Sequence, residues 1–295
     1  SAYAGSLEVL EDLGLYAGIK RIGGTSTGAI TSAVLATGGG SEGLKETIYH
    51  SDFRDFLSDK GGIVGDIFRS THDYGLHTGN KFQEILKSYI KRFSGEADLT
   101  FQQLAEKASK QPDTFKNLTV IASNLTRQGP HIFNAERHPD LPIWLAVRAS
   151  MSIPLLFQPV IIDDEFHVDG GLSWNYPIDL YDDNVFDQST GDAKFIRNPA
   201  TLGFFLEPHE LIGKEEELQS DFYKIDSLKD YALSLGSFFF ESSNAKHIHP
   251  EDKSRTVFID DLGVSATDFT ASKECLDSLI ESGRKATKEF FSNNN

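Results

Sequence analysis

The stretch Ile22-Gly23-Gly24-Thr25-Ser26-Thr27-Gly28 constrains the fold more than any other part of the chain. Its core, Gly24 to Gly28, has the G-x-S-x-G spacing of a nucleophile elbow, in which a strand turns sharply at a serine into a helix and strain holds the hydroxyl out. The residues predict a short strand ending at Gly23, the turn at Ser26 and a helix of small residues from Ala29 to Thr37. A β-carbon at Gly24 or Gly28 is expected to collide with the neighbouring strand and helix, which explains the flanking glycines. Ser26 also sits at a helix N-terminus, where unpaired N–H groups and the positive end of the dipole favour a developing negative charge. Because glycine makes up about 7% of average sequence, this spacing arises by chance in roughly one chain in ten of this length. A functional reading therefore needs a base elsewhere.

The 295 residues can bury a sizeable core as one large α/β domain or two smaller ones. No internal repeat and no Pro/Gly/Ser linker divides them, so one domain over 1–295 is expected. Tyr3, Leu7 and Leu10 share one face of a helix from Tyr3 to Leu13, stopped by Gly14 in the left-handed region. Gly38-Gly39-Gly40 ends the helix after the elbow. No Lys-Ser/Thr follows those glycines, and a helix C-terminus repels anions, so they do not read as a phosphate loop. Ser41 to Tyr74 reads as a Phe-rich insertion of helical pieces broken at Gly61-Gly62, placed to overhang an active site. Asn80 is expected to cap a helix from Lys81 to Phe93 whose stripe is Phe82, Ile85, Leu86, Tyr89 and Ile90. Thr100 with Gln103 makes a capping box for the next helix.

Leu118 to Ser123 reads as a strand that pairs with His131 to Asn134 across a turn at Gln128-Gly129. Pro142 opens a helix from Ile143 to Ser150, and Pro154 blocks its continuation. Val160 to Ile162 and Phe166 to Val168 form a hairpin around Asp163-Asp164, which delivers Asp169 at its far end. Beyond Pro177, Asp182 to Pro199 reads as a surface excursion, and Leu202 to Leu206 and Val257 to Ile259 as strands. Glu215 to Lys224, Ser227 to Ser242 and Lys273 to Phe291 read as helices, with a disordered Asn293-Asn294-Asn295 tail. Phe238-Phe239-Phe240 either lines an apolar tunnel or fills the core.

A net charge of −16 argues against non-specific binding to nucleic acid or to an anionic bilayer, unless a local patch overrides it. Cys275 is the only cysteine, so no internal disulfide forms, and a reducing, cytoplasmic setting is expected, with secretion or translocation as the alternative. No apolar run approaches the roughly 18 residues of a membrane span, and no signal peptide is visible. The sequons at Asn117 and Asn124 fall in an expected strand and its edge, and read as chance.

Three blocks stand out in order: Gly24-Thr25-Ser26-Thr27-Gly28, then Arg148-Ala149-Ser150-Met151-Ser152-Ile153-Pro154 with Phe157 and Pro159, then Val168-Asp169-Gly170-Gly171 with Asn175 and Pro177. Together they resemble the patatin-like phospholipase family. The match runs from Ala2 to about Leu180, with a looser echo from Phe258 to Phe291. The resemblance implies a three-layer α/β/α sandwich with a mostly parallel central sheet, and a lipid acyl hydrolase that uses a Ser-Asp dyad. Ser26 matches the nucleophile and Asp169 the base, with Gly170 and Gly171 letting the backbone turn beside it. The family's glycine-rich oxyanion loop, G-G-G-x-R/K-G, precedes the matched region, so the chain is expected to start downstream of that loop or to have lost it. The backbone N–H of Thr27 is the oxyanion donor that remains.

A serine hydroxyl is a poor nucleophile until something takes its proton, and a carboxylate within hydrogen-bond reach can do so in a dry site. The dyad needs neither metal nor cofactor. The expected substrates are phospholipid or lysophospholipid esters at a transient membrane or micelle surface, with an activating protein partner conceivable. His167, two residues before Asp169, could instead serve a Ser-His-Asp triad, although the resemblance supplies no histidine and a structural role is preferred. Ser150 and Ser152 read as helix-end hydrogen-bonders. Asp163-Asp164-Glu165 suits a hairpin tip as well as calcium. The third reading is a non-catalytic lipid-binding or interaction module without a complete oxyanion hole.

Overall fold

In the computed structural model the described residues are 1–50, 74–186, 193–207, 248–264 and 271–293, with a few positions between 225 and 238. The first half runs α1 (Ala2–Asp12), β1 (Arg21–Thr25), α2 (Thr27–Ala36), α3 (Gly40–His50), β2 (Gly75–His77), α4 (Asn80–Ser94), α5 (Phe101–Lys110), β3 (Asn117–Asn124) and β4 (Gly129–Phe133). It continues through α6 (Ile143–Ser150), β5 (Leu155–Phe157), β6 (Val160–Ile162), β7 (Glu165–Val168) and α7 (Gly171–Trp174). The last part holds β8 (Asp183–Phe186), β9 (Ala193–Ile196), β10 (Gly203–Glu207), β11 (Thr256–Asp260) and α8 (Lys273–Asn293).

β3 is the axis of the main sheet. It is buried at every residue but its first, as a strand covered on both faces must be. β1 lies parallel to it over Asn117 to Ile121, which needs a long crossover, here supplied by α2 to α5. β4 lies antiparallel over Val120 to Asn124. Since β1 and β4 both pair with Val120 and Ile121, they flank β3 on opposite sides. β7 pairs antiparallel with Ser123 and Asn124, which β4 also occupies, so β7 must lie on the β1 side. β1 and β7 therefore run toward each other along one edge of β3, Thr25 stopping opposite Ile121 and Val168 opposite Ser123. β6 closes the sheet through a hairpin whose tip residues Asp163 and Asp164 have φ of 52° and 62°, the left-handed pair that a two-residue hairpin turn demands.

Alternation along β3 sends Leu118, Val120 and Ala122 to one face. There they pack with Ala29, Ala33 and Ala36 of α2, Phe82 and Leu86 of α4, Leu104 of α5 and Ala146 of α6. The small residues of α2 let that helix lie close to the sheet. The opposite face carries Thr119 and Ser123, which meet the segment from α7 to Tyr181. The hydroxyls of Ser123 and Ser173 are 2.7 Å apart, and Tyr181 Oη donates to Thr119 Oγ1 at 3.4 Å. The result is the expected α/β/α layering, parallel at the β1–β3 pair and antiparallel where the hairpins add.

β10 and β11 pair in parallel beneath α1 and α8, with Ala2, Val257, Ile259 and Leu279 as their shared core. The two helices cross at glycines. A β-carbon on Gly5 would fall 1.8 Å from Ile280 O, and one on Gly283 2.0 Å from Ala2 O, while Ser6 Oγ donates to Gly283 O at 3.1 Å. Nearby, Arg255 holds both carboxylate oxygens of Asp182 and also bonds Asp252, all three side chains being shielded from solvent.

Several sequence expectations shift. β1 extends to Thr25 rather than ending at Gly23, because its parallel register with β3 runs that far. Gly79, with φ of 72°, takes the N-cap position expected for Asn80, which is instead the first helical residue. The capping box of Thr100 and Gln103 forms as expected. The excursion after Asp182 contains an antiparallel pair, β8 with β9, and α8 carries Asn293 within the helix. Most of the insertion up to Tyr74, the helix expected from Glu215 to Lys224, Phe239, Phe240, Asn294 and Asn295 lie outside the described residues; Phe238 is exposed.

Two outcomes follow from these contacts. Gly283→Ala is expected to lower stability by about 1–3 kcal/mol, because the α1–α8 crossing has no room for a methyl group; an unchanged denaturation midpoint contradicts this. Burial pushes the Asp182 carboxyl up, but the hydrogen bonds from Arg255 and the Asn198 N–H outweigh it and hold the group below its ordinary value. Its contribution is thus complete above the unfolded-state value of about 3.9 and lost as pH falls through the depressed folded-state value. Asp182→Asn is expected to flatten the acid limb of the stability profile, measured by urea denaturation between about pH 2 and 5, the range that runs from above the unfolded-state value down toward the depressed one.

Candidate active site

The site forms where β1 and β7 meet end to end. Only Ala122 of β3 separates the partners of Thr25 and Val168, so the next residues, Ser26 and Asp169, leave their strands into the same small space. Ser26 Oγ donates to Asp169 Oδ2 at 2.8 Å. The weak acceptor Met151 Sδ lies 3.6 Å from the same hydroxyl.

Ser26 has φ of 53° and ψ of −125°, a strained conformation for a residue with a β-carbon, costing about 1–3 kcal/mol. Close packing around the turn holds it there. A β-carbon on Gly24 would fall 2.2 Å from Gly28 O and 2.5 Å from Ser32 Oγ, as expected. Gly28 departs from expectation: a β-carbon there meets nothing within 4 Å, because the position faces the open side of α2. Its lack of a side chain leaves space beside Ser26. Thr25 Oγ1 donates to Trp174 O at 3.0 Å, and Thr27 is exposed as the first residue of α2, where N–H groups have no intrahelical acceptor.

Asp169 is 0% exposed. Burial pushes its carboxyl up to about 7, against the pull of the Gly171 N–H and the Ser26 hydroxyl toward the ionised form. Gly171 N donates to Asp169 Oδ1 at 2.8 Å, leaving Oδ2 to Ser26. Gly170 is required by close approach, since a β-carbon would fall 2.3 Å from Ile121 O and 2.7 Å from Thr25 Cγ2. Both glycines singled out after Asp169 thus touch the machinery, one by its N–H and one by what it lacks.

The block between the two halves of the pair binds both. Ser150 Oγ accepts the Ser26 N–H at 2.9 Å and donates to Ile121 O at 2.5 Å, while Ser150 O accepts the Gly170 N–H at 3.2 Å. Ser152 O accepts the Asp169 N–H at 2.9 Å. Buried Arg148 donates to Ser152 Oγ at 2.5 Å and to Thr78 O at 2.9 Å, and its guanidinium lies over the Phe157 ring. Sequence reasoning placed Ser150 and Ser152 as helix-end hydrogen-bonders and missed this bridging position. The available signal was three polar residues spaced two apart, Arg148, Ser150 and Ser152, at and just beyond the buried end of α6.

His167 is fully buried but faces another way. Its ring bonds His131 Nδ1 at 2.9 Å, the Asn124 amide at 3.2 Å and Glu165 O at 3.0 Å. Glu165 pairs with Arg127 and Asn124, while Asp163 and Asp164 form the hairpin tip.

Ser26, Thr27, Gly28 and Met151 open onto a cavity of 2160 Å³ that lies between the edge of β1 and the edge of β10. Among the described residues no helix is long and apolar enough to cross a membrane.

Comparisons with known proteins give a consistent relationship. The patatin-like phospholipase family profile matches residues 1–182. An uncharacterized protein of Acanthamoeba polyphaga mimivirus is 25% identical over 272 residues, covering 92% of this chain and 82% of its own. A probable lipid hydrolase of Invertebrate iridescent virus 6 is 31% identical over 106 residues, 36% of this chain and 34% of the viral one. Among solved structures, VipD from Legionella pneumophila superposes with a TM-score of 0.60 at 15% identity, over 99% of this chain and 64% of that protein, a likeness of fold. With the family profile covering more than half of its length, the chain belongs to the patatin-like phospholipase family.

Proposed function

We propose that the chain is a lipid acyl hydrolase in which Ser26 is the nucleophile and Asp169 the only base. The observation that carries this reading is the 2.8 Å hydrogen bond from Ser26 Oγ to the fully buried Asp169 carboxylate, at a strained strand-to-helix turn. The family relationship and the viral relative named as a probable lipid hydrolase support an ester of a lipid as substrate. Phospholipid or lysophospholipid esters, presented at a membrane or micelle surface, are the substrates we favour.

In the proposed cycle Ser26 Oγ attacks the ester carbonyl as its proton passes to Asp169 Oδ2. Burial raises the proton affinity of the carboxylate, which suits it to accept that proton without an intervening imidazole. Collapse of the tetrahedral intermediate breaks the bond to the alcohol, which leaves with the proton returned by Asp169. Asp169 then takes a proton from water, and the resulting attack on the acyl-enzyme releases the fatty acid and restores Ser26. The Thr27 N–H at the start of α2 is the backbone donor we assign to the oxyanion, because the Ser26 N–H is already given to Ser150 Oγ. The triad alternative finds no support in the contacts of Asp169, whose side chain bonds Ser26 and the Gly171 N–H, while His167 bonds elsewhere.

Ser26→Ala and Asp169→Asn are each expected to lower ester hydrolysis by about 10⁴-fold or more, as losing a member of a catalytic unit does, with far-UV circular dichroism unchanged. Near-wild-type turnover of a lysophospholipid by either variant refutes the assignment. Ser150→Ala leaves the part-buried Ser26 N–H without its acceptor, worth about 1–3 kcal/mol. It is expected to lower kcat by about tenfold or more with little change in KM; an unchanged kcat removes Ser150 from the positioning of the elbow.

A further inference from the structure

We propose that His131, Glu165 and His167 form a binding site for a divalent transition-metal ion of the zinc class, which ties β4 to β7 on the strand leading into Asp169. The site stands on residues that the ester chemistry does not use, so it neither depends on that reading nor supports it.

Strand register brings the three residues together. His167 pairs with Asn124 across the β3–β7 ladder, and Glu165 lies two residues back along β7. On the other side of β3, Asn124 pairs with Gly129 and Ala122 with His131. Cross-strand partners and residues two apart share a face of a sheet, so Asn124, His131, Glu165 and His167 all project to the same side. One ligand atom from each of His131, Glu165 and His167 lies within 4.8 Å of the other two.

The contacts are those of a ligand set. His131 Nδ1 is 2.9 Å from His167 Nε2, and the Asn124 amide nitrogen is 3.1 Å and 3.2 Å from these atoms and 2.6 Å from Glu165 Oε2. Ligands bound to zinc at 2.0–2.1 Å in a tetrahedron lie about 3.3 Å apart, against 2.9 Å between the two imidazole nitrogens and 4.8 Å as the bound on the whole set, so the ion enters as the Asn124 amide gives up its hydrogen bonds to the three ligand atoms and the carboxylate closes in. Two nitrogens and a carboxylate oxygen suit zinc and its neighbours rather than calcium or magnesium.

The outer atoms of the ligands are already held. His167 Nδ1 lies 3.0 Å from Glu165 O, and since a carbonyl only accepts, Nδ1 carries the proton and the Nε2 lone pair faces the cluster. His131 Nε2 is 3.1 Å from His138 Nε2, which can accept a hydrogen bond from its N–H when Nδ1 binds the ion. Arg127 takes the outer oxygen Oε1 of Glu165 and leaves Oε2 turned inward. Phe133 stacks on His131 with ring centroids 4.6 Å apart, closing the site on its inner side. An orienting hydrogen bond on the far nitrogen of each histidine, backed by an apolar wall, is the outer support that metal-bound imidazoles use.

The test is titration of tag-free, EDTA-stripped protein with Zn²⁺ in chelator-free buffer by isothermal calorimetry, with thermal denaturation of the same samples. We expect one Zn²⁺ per chain and a denaturation midpoint that rises with free Zn²⁺. His131→Gln and Glu165→Gln, both at partly exposed positions, are each expected to weaken binding at least tenfold. Should either variant fail to fold, Co²⁺ bound to the wild-type chain gives a second reading: visible bands of a four-coordinate site that vanish on addition of Zn²⁺. No saturable uptake by the wild type, or equal affinity in a folded variant, or Co²⁺ with only the spectrum of the free aqueous ion, overturns the proposal and leaves the cluster as a hydrogen-bonded polar core.

Discussion

The site depends on one constraint: two strands run toward each other along a single edge of β3 and stop one residue short of meeting. A parallel strand from the first crossover unit and an antiparallel strand from a hairpin would ordinarily compete for that edge. Here each takes part of it, β1 over Asn117 to Ile121 and β7 over Ser123 and Asn124. Their C-terminal residues are then forced into the same gap, and Ser26 and Asp169 meet because neither chain can go straight on. Gly170 allows the second chain to turn against Ile121 O and Thr25, so the carboxylate reaches the hydroxyl rather than solvent.

Such a meeting point has a cost, and its support comes from the Arg148–Ser152 block. Ser26 sits at φ of 53°, and Asp169 is a fully buried acid. Ser150 accepts a hydrogen bond from the first and its carbonyl accepts one from the residue after the second, while Ser152 accepts from Asp169 itself. Arg148 in turn fixes Ser152 from beneath. The spacing of nucleophile and base is therefore a property of a third segment, which holds both backbones and sets Met151 Sδ beside the Ser26 hydroxyl at 3.6 Å. Burial that destabilises the ionised carboxylate is also what raises its appetite for a proton.

The parts of this arrangement that were legible in the sequence are local. A glycine-flanked serine between a strand and a helix of small residues, and an aspartate followed by two glycines after a hairpin, carry their geometry in adjacent residues. The capping box of Thr100 and Gln103 was readable for the same reason, whereas Asn80 and Gly79 both suit a helix start and the chain uses the left-handed glycine. Gly28 shows the limit: spacing indicates that a glycine matters, not whether a wall or open space stands beside it. The bridging by Ser150 was not readable, because its partner lies 124 residues away. Nor was the cluster of His131, Glu165 and His167, whose members share a face only through the register of three strands. β8 and β9 escaped notice because polar, turn-rich sequence gives little strand periodicity.

The central claim is that Asp169 alone activates Ser26, and covalent trapping tests it most directly. Wild-type protein and Asp169→Asn are exposed to a fluorophosphonate, and the modified peptide is identified and timed by mass spectrometry. The account predicts a single adduct on Ser26 in the wild type, and a rate at least about a hundredfold lower in the variant, in the range expected when a general base is removed. Labelling of Ser26 in Asp169→Asn at the wild-type rate, or an adduct on another residue of the wild type, contradicts it.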